Sequence, residues 1–308
     1  MIQTSDMRKP KVAVIIVNYN SFAETKDCLN SLNQLDQSLF YLKIILVDNA
    51  SKNFPGDHFN KEFPNVITIT LPENTGFTGG NNSGIEKALG LKSDYIFILN
   101  NDTILEKFSV DKLVGFMEEN TEIGIAGPKI YFLKGYEYHS DRYTDKEKGK
   151  VIWYAGGKID WPNALFSHKG IDEVDRGQYN KTEETNFISG CAMMIRSDAI
   201  KTIGNFDERY FLYLEDIDLC FRAKQAGFKL VYFPDAIIWH KNASSSDKPG
   251  SIIHQYYQTR NRLLFAATYS STRTKFALLR ESLKFYIKGG IKRKAVSDFY
   301  LRKFGRGI

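Results

Sequence analysis

The stretch Lys11 to Asn20, KVAVIIVNYN, decides the fold. Val12 to Val17 is a continuous apolar run, the pattern of a strand covered on both faces in a parallel sheet, where a half-wet strand would alternate. It closes on the polar Asn18-Tyr19-Asn20. Outward from it, Ala23 to Leu35 carries apolar residues at helical spacing (Cys28, Leu29, Leu32, Leu35). Lys43 to Val47 and Val66 to Leu71 read as the next two strands. A glycine-rich turn leads into a short helix over Gly79 to Leu89, then a fourth strand at Tyr95 to Leu99 and a helix at Lys107 to Glu119. Strands alternating with helices predict βαβ units: an α/β fold with a Rossmann-like, mostly parallel central sheet flanked by helices.

Three of these strands end in polar clusters: Asn18-Tyr19-Asn20, Asp48-Asn49 and Asn100-Asn101-Asp102. Ligands of open α/β sheets bind beyond the carboxyl ends of the strands, so three such ends mark a common pocket. A single one is equally well an Asx turn.

From Phe132 to Thr185 the pattern breaks up, and the charged, tyrosine-rich Tyr136 to Lys150 reads as an exposed loop or insertion. An apolar strand is expected over Phe187 to Ile195, and a helix from Glu215 to Ala226 stopped by Gly227. Lys229 to Phe233 and Ala236 to Trp239 read as short extended segments, and beyond Ile252 the chain reads as helical to its end. The expected division is a first unit over residues 1–250 and a basic helical C-terminal extension over 251–308.

With 43% hydrophobic and 25% charged residues among 308, wholesale disorder, collagen and disulfide scaffolds are excluded. Cys28, Cys191 and Cys220 form no CxxC pair and read as buried free thiols of a reducing compartment. Met1 to Pro10 is polar and shows no signal-peptide core, and no apolar run approaches the roughly 20 residues that cross a bilayer, so a cytoplasmic protein is expected. The net charge of +6 is uneven: Arg273 to Ile308 holds eleven Lys/Arg against Glu281 and Asp298, a local +9, which leaves −3 for the rest. Phe276, Leu279, Leu283, Tyr286 and Ile287 recur among these cations at helical intervals. Such a tail suits an anionic membrane surface, or a packed helix with a solvated basic side. No nucleic-acid module is visible, so nucleic acid is not an expected partner.

Asp102, directly after a strand, can hold Mg²⁺ or Mn²⁺ against a ligand diphosphate. Glu73 to Gly84 is a glycine-rich turn, in which glycine lets the backbone approach a ligand, and it feeds a helix N-terminus that favours phosphate oxygens. Its spacing is not G-x-G-x-x-G, which argues against a nicotinamide-dependent oxidoreductase. Phe206 to Asp218 packs five carboxylates into an aromatic context. Successive helical residues turn by about 100°, so Asp216 and Asp218 point roughly 200° apart and only one can serve a pocket. That suits a reaction with one general base; an acidic first turn complementing the helix dipole is the other reading. His240, ending the strand-like segment after Trp239, is either a ligand for a Mn²⁺-like metal or a packed core histidine.

Taken together, these segments resemble the inverting glycosyltransferases of family 2, which have the GT-A fold, and most of all their bacterial rhamnosyltransferase-like branch. The resemblance runs from Lys11 to Leu264 through VAVIIVNYN, ILVDNAS, NTGFTGGNNSG, YIFILNND, SGCAMMIR, FDERYFLYLEDIDLCFRAKQAG, WH and YYQTRNRL, in that order. It implies that Asp48 contacts the donor's pyrimidine base and that Asn20, Asn74, Gly76 and Asn82 belong to the nucleotide-binding wall. It makes Asp102 the last residue of a DxD metal motif whose first position is Asn100 here, His240 the residue completing metal coordination, and Asp216 of the Glu215-Asp216 pair the catalytic base. Gly190 lies where the acceptor passes, and Arg260 meets the diphosphate or lies on a solvated helix face. The implied cofactor is a divalent metal, Mn²⁺ or Mg²⁺. The implied partners are a UDP- or dTDP-linked donor and a saccharide or lipid-linked acceptor of cell-surface polysaccharide synthesis, at the inner face of the cell membrane. A non-catalytic nucleotide- or sugar-binding module of the same fold is the alternative. All of this requires Asp48, Asp102, Asp216 and His240 to converge on one cleft.

Overall fold

A computed structural model describes residues 8–52, 55–241 and 250–308; the polar stretch ahead of residue 8 lies outside the described residues. The first half runs β1 (Lys11–Asn18), α1 (Phe22–Asn33), β2 (Tyr41–Asp48), α2 (Gly56–Glu62), β3 (Val66–Thr70), α3 (Gly76–Gly90), β4 (Tyr95–Asn100), β5 (Thr103–Leu105), α4 (Ser109–Glu119) and β6 (Ile123–Phe132). It continues through β7 (Ile152–Tyr154), β8 (Gly157–Asp160), β9 (Leu165–His168), β10 (Glu183–Glu184), β11 (Ala192–Arg196), α5 (Ser197–Ile203), α6 (Glu215–Gln225) and β12 (Lys229–His240). Three helices close the chain: α7 (Ile252–Tyr269), α8 (Thr272–Lys288) and α9 (Gly290–Tyr300).

Val12 to Ile16 are wholly buried because β1 lies inside the sheet, between β4 and β2. The strand order is β10-β12-β6-β11-β4-β1-β2-β3, with β5 added on β12 and β7 on β6. β1 to β4, β6 and β12 run one way, while β11 runs against its neighbours β4 and β6. The sheet is therefore mostly parallel. Its register sets Asn18 opposite Asp48 and Val17 opposite Asn100, so the polar ends of β1, β2 and β4 share one edge. β11, running the other way, starts at that same edge, with Ala192 opposite Leu99.

Four local expectations change. The glycine-rich segment is not a turn ahead of a helix: α3 begins at Gly76, and two of its glycines, Gly80 and Gly84, face the sheet. A Cβ on Gly80 would stand 2.8 Å from Val17, and one on Gly84 2.4 Å from Ile15, so these positions let the helix lie directly on β1. Phe187 to Gly190 stays out of the ladder and Ala192 to Arg196 pairs as the strand, with the Gly190 N–H donating to a carboxylate of α6. The two segments after Lys229 form the single strand β12, with a bulge between Phe233 and Ile237 where Pro234 supplies no ladder hydrogen bond. The C-terminal helical run breaks twice, at Ser270-Ser271 and at Gly289, and ends at Tyr300. No helix of the described residues is long and apolar enough to cross a membrane.

Candidate functional site

The site grows from the carboxyl edge of the sheet. Asp48 is buried there; its Oδ1 accepts from Asn18 Nδ2 at 2.9 Å and its Oδ2 from the Ser51 N–H at 3.1 Å. The Asn20 N–H donates to Ser51 Oγ at 2.8 Å and its Oδ1 accepts from the Lys52 N–H at 2.7 Å, which ties the loops after β1 and β2 into one wall. Asn49 joins that wall to the start of α3. Its Oδ1 accepts from the Thr75 N–H at 2.9 Å, and its Nδ2 donates to Asn74 Oδ1 at 3.1 Å and to the Gly76 carbonyl at 2.9 Å. The Thr25 hydroxyl bridges Asn18 and Asn101, at 2.9 Å from each, so a buried polar chain runs from Asp48 to the residue before Asp102. Asn100, half-buried, closes β4 beside Val17.

Asp102 and His240 meet at this edge because β12 pairs antiparallel with β5, setting His240 opposite Thr103. Asp102 Oδ1 lies 3.0 Å from His240 Nε2, with both side chains buried. Burial alone would depress the imidazole; the Asp102 carboxylate reverses this and holds it well above its ordinary value. The His240 and Trp153 rings pack in a T-shaped arrangement, 4.6 Å between centroids, and Trp153 also packs on His168. Burial pushes His168 down to about 4, so it stays neutral. Desolvation raises the buried Cys191 thiol, His240 opposes the rise, and the Asp102 and Asp216 charges add to it. Two donor atoms 3.0 Å apart match adjacent corners of an octahedron of about 2.1 Å bonds, so the Asp102-His240 pair suits a divalent cation in place of the shared proton. Among the described residues no group of three or more His, Cys, Asp and Glu is placed to hold a metal ion, so this pair is at most a partial ligand set.

Asp216 reaches the same edge from α6. Its Oδ2 accepts from the Gly190 N–H at 2.9 Å and its Oδ1 from the Ile217 N–H at 2.9 Å. Desolvation raises its pKa above the ordinary carboxylate value, and these backbone donors hold the rise in check. Glu215 is buried, and its Oε2 has no hydrogen-bond partner among the described residues; burial, then the Asp216 and Asp218 charges, push its pKa well above the ordinary carboxyl value. Asp218 points elsewhere, as the helical 100° step requires, accepting from Arg222 at 2.8 Å and from the Tyr269 hydroxyl at 2.7 Å.

The loop that delivers this carboxylate is strained: Phe211, Tyr213 and Leu214 take φ values of +64°, +68° and +71°. Gly76, itself at φ +74°, lies beneath it, and a Cβ there would stand 2.3 Å from the Phe211 carbonyl oxygen. From α7, Arg260 donates to the carbonyls of Arg209, Tyr210 and Gly305, and Asn261 Nδ2 to those of Tyr210, Leu212 and Tyr213. Arg260 is 0% exposed, so it lies neither on a solvated helix face nor free to meet a diphosphate. Asn82 is likewise committed, donating to the Phe206 carbonyl and Glu208 and accepting from the Phe206 N–H, all at 3.0 Å. Asp48, Asp102, Asp216 and His240 thus share one edge of the sheet, with Asn20, Asn74 and Gly190 beside them, while Gly76, Asn82 and Arg260 support the acidic loop. Asn49 forms the wall that the polar end Asp48-Asn49 pointed to, whereas sequence reasoning missed Trp153, Cys191 and Asn261 as site-forming residues. Asn261 stood beside Arg260, already singled out; Trp153 lies in the patternless stretch and gave no signal. A cavity of about 1160 Å³ beside Phe116, Phe233 and Trp239 contains none of the site residues.

The family model described as glycosyl transferase family 2 matches residues 13–204, from β1 through α5. An N-acetylglucosaminyl-diphospho-decaprenol L-rhamnosyltransferase of Mycobacterium tuberculosis is 24% identical over 259 residues, covering 80% of this chain and 81% of its own. The dTDP-rhamnosyl transferase RfbF of Shigella flexneri is 24% identical over 263 residues, covering 82% and 79%. Among solved structures, GalNAc-T7 with UDP, GalNAc and Mn²⁺ superposes with a TM-score of 0.68 at 16% identity, over 96% of this chain and 55% of that one. A mannosyltransferase of Pyrobaculum calidifontis, PcManGT, in complex with GDP-Man and Mn²⁺, does so at 0.55 and 14% identity, over 96% and 75%. These structural likenesses speak for the fold, which is GT-A. With the family match running through β1, β2 and β4, whose ends carry Asp48 and lead to Asp102, the chain belongs to glycosyl transferase family 2.

Proposed function

We propose that the protein is an inverting transferase that moves a hexosyl group, rhamnosyl by the names of its relatives, from a UDP- or dTDP-linked donor to a hydroxyl of a saccharide or lipid-linked saccharide during cell-surface polysaccharide assembly. The observation that carries this reading is the half-exposed Asp216 carboxylate, fixed by the Gly190 N–H and sharing one edge of the sheet with the Asp102-His240 pair. In this reading Asp48 and Asn20 receive the donor's base, and Asn74 and Asn100 border its diphosphate. Asp102 and His240 would hold a divalent cation, which when bound offsets negative charge on the departing nucleoside diphosphate. Asp216 accepts the proton of the acceptor hydroxyl as its oxygen bonds to the anomeric carbon, and the bond from that carbon to the diphosphate oxygen breaks on the opposite face. A single displacement inverts the centre and requires only one ionised carboxylate. The buried Glu215, whose ionisation burial opposes, and the turned-away Asp218 are consistent with that economy. Gly190 keeps the acceptor side open: a Cβ there would crowd Phe77 at 3.1 Å and Asp216 at 3.4 Å. The basic extension, residues 251–308, brings the site to an anionic membrane surface where a lipid-linked acceptor resides.

The test is Asp216→Asn, which keeps the shape and removes the base. Nucleoside-diphosphate release should fall by about 10³-fold, with donor affinity by calorimetry unchanged. Turnover within a few-fold of the parent would remove Asp216 from this role.

A further inference from the structure

α8 presents three faces rather than the usual two. Thr274, Leu278 and Ser282 are buried, Leu278 within a cluster that includes Leu263 of α7 and Val296 of α9. The apolar residues Phe276, Leu279, Leu283, Tyr286 and Ile287 are not on that face: they are 63%, 50%, 60%, 51% and 70% exposed. At about 100° per residue they fall within an arc of roughly 100°, a continuous stripe turned to solvent. A packed helix with a solvated basic side would bury this stripe, and it does not. Scattered exposed apolar side chains need no explanation, but a helix-long stripe of large ones marks a surface that something covers.

The charge around the stripe says what covers it. Lys275 borders one side of the arc, and Arg280, Lys284 and Lys288 border the other. Among the described residues none of these four has an acidic partner within salt-bridge distance, and the one acidic residue of α8, Glu281, is held by Arg262 at 2.9 Å. Arg293 at the start of α9 lies over the Tyr286 ring and donates to the Tyr286 carbonyl, continuing the basic border past the helix end. Unpaired cations flanking large apolar side chains fit the boundary of an anionic bilayer, with the stripe among the acyl chains and the cations at the headgroups.

We infer that α8 docks flat on an anionic lipid surface, with Phe276, Leu279, Leu283, Tyr286 and Ile287 inserted and Lys275, Arg280, Lys284 and Lys288 at the phosphates. This rests on the membrane-facing reading of the extension given above and assigns the face that carries it. Packing of Leu278 against α7, whose Arg260 and Asn261 grip the acidic loop, couples that docked face to the site.

The full chain is floated with vesicles of phosphatidylcholine alone and with vesicles that also contain phosphatidylglycerol. The parent should float only with the second kind. Leu283→Ser with Ile287→Ser, both on exposed positions, should lower the bound fraction about tenfold, with thermal midpoint and donor affinity unchanged. Lys284→Gln with Lys288→Gln should lower it on phosphatidylglycerol vesicles alone. A parent that floats while the Leu283/Ile287 variant floats equally overturns the assignment of the stripe and leaves the membrane reading standing. A parent that floats with neither vesicle overturns both. A parent dimer that the Leu283/Ile287 variant converts to monomer assigns the stripe to a second copy of the chain and also overturns the inference.

Discussion

Glu215 and Asp216 stand side by side at the start of α6, yet one carboxyl is shut away, its Oε2 without a partner among the described residues, and the other is held out by two backbone donors. The difference has a measurable pH signature. Glu215 has its pKa raised on folding, so the folded chain binds this proton more tightly than the unfolded one. The stability it lends is fully present below the ordinary carboxyl pKa of about 4.3. It is lost as pH rises toward the elevated folded value. Glu215→Gln keeps the neutral shape and cannot ionise. The thermal midpoint of that variant relative to the parent should therefore climb by a few degrees between about pH 5 and about pH 8; a constant gap would mean that Glu215 titrates as a solvated group. The divergence of Asp216 from Asp218 was legible in the sequence, because it follows from the helical step alone. The commitment of Arg260 and Asn82 was not. Whether a polar side chain in a motif meets a ligand or a backbone carbonyl depends on which loop folds over it, and no local pattern carries that information.

At the level of elements, the polar ends of β1, β2 and β4 were legible because a buried parallel strand has a strong apolar signature and its end is abrupt. The glycines of α3 misled for a physical reason: glycine permits both a tight turn and a close helix-sheet contact, and only the packing of Gly80 on Val17 and Gly84 on Ile15 decides between them. Residues 132–185 were illegible because their short elements lean on side chains far along the sequence: β8 donates from Gly157 to the Thr185 hydroxyl and from Ile159 to Asn186 Oδ1. The left-handed run before α6 was equally hidden, since Phe, Tyr and Leu give no hint of positive φ. That run depends on Asn261 from α7. Asn261→Ala removes the side-chain donor to the Leu212 and Tyr213 carbonyls, while Tyr210 keeps Arg260, and should cost about 2 kcal/mol in urea unfolding. It should also quicken proteolysis within residues 209–214 and lower the transfer rate while donor affinity holds. An unchanged transfer rate would show that the loop keeps its shape unaided.

On the scale of the whole molecule, the expected break between residues 250 and 251 runs through a shared core. Leu264 and Phe265 of α7 belong to the same apolar cluster as β1 and β4, and the Phe265 ring packs on Trp161, Phe166 and Phe221. Tyr256 donates to Asp298 of α9 at 2.6 Å, and Arg260 reaches the Gly305 carbonyl at 2.7 Å, so the last helix and the tail beyond it are bound through α7 as well. Basic composition made the extension look like a separable appendage; its alternate, buried side is aromatic and part of the catalytic body. The five side chains Tyr256, Tyr257, Leu263, Leu264 and Phe265 are each at most 7% exposed. At about 2 kcal/mol apiece their gross burial is near 10 kcal/mol, the size of an entire domain's net stability. A chain ended after residue 250 should therefore show no cooperative thermal transition and should accumulate as aggregate, with donor binding lost along with the fold. A sharp, reversible transition in that truncated chain, with donor affinity intact, would mean that the α/β unit holds its acidic loop without the helices that grip it.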